Sequence, residues 1–201
     1  VISSRPADLD RAVSLLQQGG VIAYPTEAVW GLGCDPWNGK AVERLLALKG
    51  RPADKGLILV AAHEHQVAPL LEGLSPRQRQ RLQADWPGMM TFVIPDPDGW
   101  APPWIRGAHQ SVAVRVSAHP VVQSLCLRWG RPLVSTSANK SGAPPCTRRD
   151  SVVQQLGDSL DLIIQGQAGP YATPSPILDL ASGHLLRAGS PSESGPGGQR
   201  S

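Results

Sequence analysis

The sequence predicts a single-domain α/β fold, with helices packed against a largely buried, mixed sheet. Three observations carry this. Short apolar stretches of strand length alternate with stretches of helical period along most of the chain. Two short strand-like stretches bracket Ala181-Ser182-Gly183, which predicts a closing hairpin and so a mixed rather than purely parallel sheet. The chain has 201 residues, 41% of them hydrophobic, enough for one core without staples.

The elements follow in order. Residues 8–18 put Leu9, Ala12, Val13 and Leu16 on one helical face, and Gly19-Gly20 stops the helix. Residues 21–24 read as a short buried strand, and 25–37 as a loop rich in Gly and Pro. Asn38 is placed to cap a helix through Lys49, which Gly50-Arg51-Pro52 ends, because proline disfavours helix in the residue before it. An apolar strand at 57–61 precedes helical stretches at 65–71 and 76–85. Trp86-Pro87-Gly88 is a turn, and 91–94 and 111–117 are strands flanking a Pro-rich loop at 95–110. Then come a helix at 120–129, a strand at 133–135, a polar loop at 137–145, a helix at 149–156 and a strand at 162–164. From Ser190 onward Ser, Gly and Pro dominate, which predicts a flexible tail over 190–201 behind a domain spanning 4–189.

Composition narrows the function classes. Charged residues are 17% of the chain, below the usual ~25%. The formal net charge of +3 and a pI near 9.0 point to an anionic partner, whether phosphate-bearing small molecule or RNA. Three cysteines without C-x-x-C spacing argue against a disulfide framework and for a reducing, cytoplasmic setting. No apolar run approaches the ~20 residues that span a bilayer, and no signal peptide opens the chain, so no membrane role is expected.

The chemistry-bearing motifs separate quickly. No G-x-x-x-x-G-K-[ST] occurs, and Gly31-Leu32-Gly33 lacks the third glycine and helix of a dinucleotide fingerprint. Ser137-x-x-Lys140 and Lys140-Ser141-Gly142 overlap within six residues and so cannot surround a substrate as Ser–Lys acyl enzymes do. His63-Glu64-His65 lacks a third ligand at a persuasive spacing, so no metal site is expected. Arg77, Arg79 and Arg81 form either a solvated helical face or an RNA contact. Two segments stand out. Lys49-Gly50-Arg51 couples a point charge to a planar fork, suited to phosphate oxygens, although by composition alone a Lys49 that complements its helix dipole beside a solvated Arg51 is the commoner explanation. Ser135-Thr136-Ser137-Ala138-Asn139 places hydroxyls and a carboxamide just past a buried strand, where α/β folds bind ligands, or where a turn satisfies its own backbone.

Together, residues 24–36 (YPTEAVWGLGCDP), Leu48-Lys49-Gly50-Arg51-Pro52, Trp86-Pro87-Gly88, Ala113-Val114-Arg115-Val116 and Ser135-Thr136-Ser137-Ala138-Asn139 resemble the YrdC family, in its short single-domain bacterial form. The resemblance runs from about Ser4 to Gly189. It implies a twisted mixed sheet with flanking helices and a concave basic cavity. It implies an enzyme, a nucleotidyltransferase that makes threonylcarbamoyl-AMP and pyrophosphate from L-threonine, bicarbonate or CO2, and ATP with its Mg²⁺. It implies no tightly bound prosthetic group. A downstream transferase complex would use the product to modify tRNA, and tRNA or double-stranded RNA are implied as direct partners. The alternative is an RNA-binding module without adenylation activity.

The resemblance also assigns residues. Its K-x-R falls on Lys49 and Arg51, expected at the ATP phosphates and the carbamate. Its S-x-N falls on Ser137 and Asn139, expected beside the nucleotide, with Ser111 and Arg187 as further ATP contacts. Thr26, Lys55, Arg115, Ser135 and Ser175 are the expected threonine contacts, Arg115 pairing with the carboxylate. Met89-Met90 and Pro176 depart from the family pattern. The expected discriminator is geometric: convergence of Lys49, Arg51 and Arg115 in a pocket favours small ligands, whereas a surface spread of Arg77, Arg79, Arg81, Arg148 and Arg149 favours RNA.

Overall fold

A computed structural model describes residues 5–171 and 173–189. Ser4 and the expected tail lie outside the described residues. These form a nine-stranded mixed sheet, β1 Ile22–Pro25, β2 Trp30–Gly33, β3 Ile58–Ala61, β4 Thr91–Pro95, β5 Ser111–Val116, β6 Leu133–Ser137, β7 Leu162–Ile163, β8 Ile177–Asp179 and β9 Leu185–Arg187, in the order β7-β1-β2-β6-β3-β5-β4-β8-β9. The β7/β1, β3/β5 and β4/β8 pairs are parallel and the others antiparallel. Seven helices flank the sheet: α1 Pro6–Gln17, α2 Gly39–Lys49, α3 Ala68–Leu71, α4 Pro76–Asp85, α5 Pro103–Arg106, α6 Pro120–Trp129 and α7 Arg149–Leu156. None of them is long and apolar enough to cross a membrane.

Local chemistry accounts for the helix ends. The Asn38 side chain accepts from Ala41 N–H and caps α2, while Gly50 closes it at φ 61°, where a side chain would be strained. Ser75 and Gln78 form a reciprocal capping box on α4. Proline opens α6, and Gly130 at φ 80° ends it.

The two faces of the sheet are covered differently. One face carries Leu32, Leu59, Val114, Val134 and Phe92, buried under α2, α4 and α7 through Val42, Leu45, Leu82 and Val152. On the opposite face Ile22, Tyr24, Val60 and Leu133 are buried under α1 and α6, through Leu9, Leu16, Val122 and Leu125. Those two helices cover only one end of that face.

Several sequence expectations are corrected. The expected loop at 25–37 contains β2, which forms a hairpin with β1 in the register Tyr24↔Gly31. Gly33 sits there because a Cβ would lie 2.6 Å from Val134 O and 2.7 Å from the Tyr24 ring. The Pro-rich loop at 95–110 contains the single turn of α5. The expected helix at 65–71 divides into a 3-10 turn at Glu64–Val67 and α3. β6 continues through Ser137, past the expected end at 135, because Thr136 and Ser137 pair with β2.

Candidate functional site

Strand alternation builds the site. The pairs Ile58↔Ser135, Ile58↔Ala113 and Val93↔Ala113 place these side chains in one row on one face of the sheet. It is the face that α1 and α6 cover further along. Beyond those helices the row forms the floor of a cavity of about 450 Å³, within the ~300–1,000 Å³ range of small-molecule sites. The walls come from the segments around Thr26–Gly31, Arg51–Leu57, Ile105–His109 and Pro174–Arg187.

Backbone contacts fix those walls. Past Gly50 the chain turns so that Arg51 Nη2 donates to Gly56 O at 2.9 Å. Leu57 N–H donates to Ile105 O at 2.8 Å and Ala108 N–H to Asp54 O at 3.0 Å, tying two loops together. Gly107, at φ 64°, is needed for this approach, since a Cβ would lie 2.4 Å from Asp54 O. Across the cavity Ser175 Oγ lies 3.0 Å from Thr91 Oγ1, and Arg187 donates to Ser175 O at 2.8 Å and to its Oγ at 3.1 Å. Thr26 donates its hydroxyl to Val29 O at 2.7 Å, which tightens the turn between β1 and β2.

The cavity gathers positive charge. Arg51, Lys55, Arg106, Arg115 and Arg187 line it, with Asp179 as the carboxylate on its wall. Burial holds the Arg187 guanidinium below its usual pKa, and repulsion from Arg115 and Arg51 adds to this. Burial likewise lowers Arg51, with Asp54 opposing. Arg115 is only 6% exposed, and its Nη2 stands 3.5 Å from Glu27 Oε2. The Nε groups of Arg51 and Arg115 are buried without a hydrogen-bond partner among the described residues. Buried guanidinium groups with unused N–H donors suit an anionic ligand.

The structure sorts the residues read from the sequence. Of those expected at ATP, Arg51, Ser111, Ser137 and Arg187 line the cavity. Of those expected at threonine, Thr26, Lys55, Arg115, Ser135 and Ser175 line it. Lys49 and Asn139 lie behind the wall. The Lys49 ammonium, in a residue 5% exposed, donates to Ser137 O, to Asn139 O at 2.9 Å and to Asn139 Oδ1 at 3.4 Å. Its three hydrogens are thus committed to the loop that presents Ser137. Burial first, then Arg51, pull its pKa down to about 8. Asn139 Nδ2 donates to Lys140 O at 2.9 Å and Ala143 O at 2.7 Å, closing the same loop.

The remaining motifs lie elsewhere. His63 and His65 stack on each other away from the cavity, and no group of three or more His, Cys, Asp and Glu among the described residues could hold a metal ion. Arg79 donates to Leu71 O and Leu74 O, and Arg81 pairs with Asp85 at 3.1 Å. Arg148 and Arg149 line a separate groove. Pro176, which departs from the family pattern, still accepts from Thr91 N–H at 3.0 Å through its carbonyl. Arg106, His109 and Asp179 are cavity residues that sequence reasoning missed. The first two sit in an aperiodic Pro-rich loop, and Asp179 ends a three-residue strand, so no periodicity marks any of them.

Comparison with known proteins gives a consistent result. A Sua5/YciO/YrdC family model, described as telomere recombination, matches residues 14–189. The threonylcarbamoyl-AMP synthase of Pseudomonas paraeruginosa is 53% identical over 176 residues, covering 88% of this chain and 94% of that protein. The threonylcarbamoyl-AMP synthase of Xanthomonas euvesicatoria is 50% identical over 182 residues, covering 90% and 97%. Among solved structures, P. abyssi Sua5 in complex with L-threonine superposes with a TM-score of 0.84 at 33% identity, covering 90% of this chain and 54% of that longer one. With its mixed sheet, its cationic cavity and these relatives, the chain belongs to the Sua5/YciO/YrdC family.

Proposed function

We propose that this protein is a threonylcarbamoyl-AMP synthase. It joins L-threonine, bicarbonate or CO2, and ATP, and releases pyrophosphate. The relatives' shared name supports the reaction, and the threonine complex of P. abyssi Sua5 supports the amino acid. The observation that carries it here is the meeting of Arg51, Arg115 and Arg187 around one cavity with hydroxyls interleaved.

The chemistry needs that arrangement. The threonine amine adds to CO2 with loss of a proton and becomes a carbamate. A carbamate oxygen then attacks the α-phosphorus of ATP, and the bond to the β-phosphate oxygen breaks as pyrophosphate leaves. Carboxylate, carbamate and triphosphate concentrate negative charge in one place. Catalysis is therefore mostly positioning and charge neutralisation, without a protein nucleophile. Arg115 takes the threonine carboxylate, with Thr26, Ser135 and Ser175 around the amino acid and Lys55 at the exposed edge. Arg51 and Arg187 take phosphate oxygens, with Ser111 and Ser137 beside the nucleotide. Lys49 and Asn139 hold the Ser137 loop from behind. Mg²⁺ enters as part of the nucleotide substrate.

The product serves modification of tRNA through a downstream transferase, in the cytoplasm. The test is pyrophosphate release from the purified protein with ATP, threonine and bicarbonate. Release that stops when threonine is omitted is the expected result. Release indifferent to threonine contradicts the substrate assignment.

A further inference from the structure

Glu27 lies next to the cavity residue Thr26, yet the chemistry above gives it no task. It is 6% exposed and does not line the cavity. Its Oε1 accepts from Ser117 Oγ at 2.6 Å and from Ala118 N–H at 3.0 Å. Its backbone is held as well. Gly169 N–H donates to Thr26 O at 2.8 Å and Tyr171 N–H to Glu27 O at 3.4 Å, and a Cβ on Gly169 would lie 2.3 Å from Glu27 O. A strap of chain therefore presses on Glu27 from one side while the end of β5 holds its carboxylate from the other.

The second oxygen, Oε2, has no hydrogen bond among the described residues and stands 3.5 Å from Arg115 Nη2. Arg–carboxylate pairs frequently engage the guanidinium fork with both oxygens. Here Oε2 approaches Nη2, and the guanidinium Nε makes no hydrogen bond among the described residues. Arg115 also shares its cavity with Arg51 and Arg187, and it and Arg187 repel each other. Without a fixed anion behind it, a guanidinium on a flexible stem would turn away from those cations.

We propose that Glu27 is a positioning residue for amino-acid recognition: it anchors one edge of the Arg115 guanidinium so that the free edge meets the substrate carboxylate. This rests on the reading of Arg115 as the threonine-carboxylate contact. Because Glu27 is withdrawn from the cavity, it touches neither substrate nor nucleotide.

The test compares wild type, Glu27→Gln, Arg115→Ala and the double variant by kcat/KM for threonine at saturating ATP, with ATP affinity measured separately. Glu27→Gln keeps the shape and loses the charge. It is expected to lower kcat/KM for threonine about tenfold, through KM, while leaving ATP affinity within about twofold. In the Arg115→Ala background it is expected to add nothing, since both changes remove one interaction. Ser117→Ala frees Oε1 while keeping both charges, and is expected to cost about threefold in the same parameter. An unchanged threonine KM in Glu27→Gln, a parallel loss of ATP and threonine binding, or multiplying effects in the double variant would overturn the proposal. If Glu27→Gln does not fold, Ser117→Ala decides, an unchanged threonine KM counting against it. A wild-type protein that binds no threonine sinks the functional reading instead, whereas wild-type binding matched by Glu27→Gln sinks only this inference.

Discussion

Two neighbouring rows of side chains on one sheet face have opposite fates. In the first, Leu133, Val60 and Arg115 stand side by side on β6, β3 and β5. In the second, one step along the same strands, stand Ser135, Ile58 and Ala113. The rows are ~7 Å apart, two strand residues. Leu133 and Val60 lie under α6 and have no exposed surface, whereas the second row floors the cavity. The site thus needs no special backbone. It appears where the covering helices stop, with Leu133 on β6 giving way to the hydroxyl of Ser135 and Arg115 on β5 to the small Ala113, while β3 keeps a branched side chain at Ile58. Arg115 stands at the border, with its stem beside the packed row and its head in the cavity.

That contrast can be broken from either side. On the cavity side, Arg51→Ala should lower kcat/KM by about 10²–10³-fold, the scale expected when one partner of a buried charged contact is removed. Its thermal midpoint should stay close to wild type, because Arg51 contributes one hydrogen bond, to Gly56 O. On the packed side, Leu133→Ala should cost about 2–5 kcal/mol of stability. For a chain of this size, at about 2–4 °C per kcal/mol, that lowers the melting temperature by about 4–20 °C, while turnover per folded molecule stays near wild type. If Leu133→Ala abolished turnover of the folded protein, or Arg51→Ala melted it, the two rows would not be separate in role.

A smaller effect sharpens the boundary through pH. Lys49 sits behind the cavity wall with its pKa drawn down to about 8 by burial and by Arg51. An unfolded lysine titrates near ~10.4, so between about 8 and ~10.4 the unfolded chain binds more protons and stability rises with pH. ATP affinity should move the opposite way. As pH climbs through about 8 the ammonium is lost, and the Ser137–Asn139 loop loses both a positive charge and a donor. Melting temperature and ATP titrations between pH 7 and 9 check this. Lys49→Met should flatten the affinity trend.

Much of the architecture was legible in advance, for identifiable reasons. α6 and α7 match their expected bounds, because Pro120 and Gly130 punctuate the first and an apolar periodicity marks the second. β2 was invisible because Trp30-Gly31-Leu32-Gly33 looks like a turn. Its glycines answer to Tyr24 and Val134, contacts that exist only in three dimensions. Of the cavity's cations, Arg51, Lys55, Arg115 and Arg187 could be picked out by resemblance, and Arg106 could not. Their division into lining and supporting groups could not, since Lys49 and Arg51 are two residues apart yet face different surroundings. Glu27 was visible as part of a motif, but its work depends on Ser117 and Arg115, about ninety positions away.

The most direct measurement is calorimetric titration of ATP, with and without L-threonine, into wild type and Arg51→Ala. The account predicts one nucleotide site per chain in wild type, occupied together with threonine, and at least about tenfold weaker ATP binding in the variant. Equal ATP affinity in the two proteins, or threonine and ATP displacing each other, would contradict it.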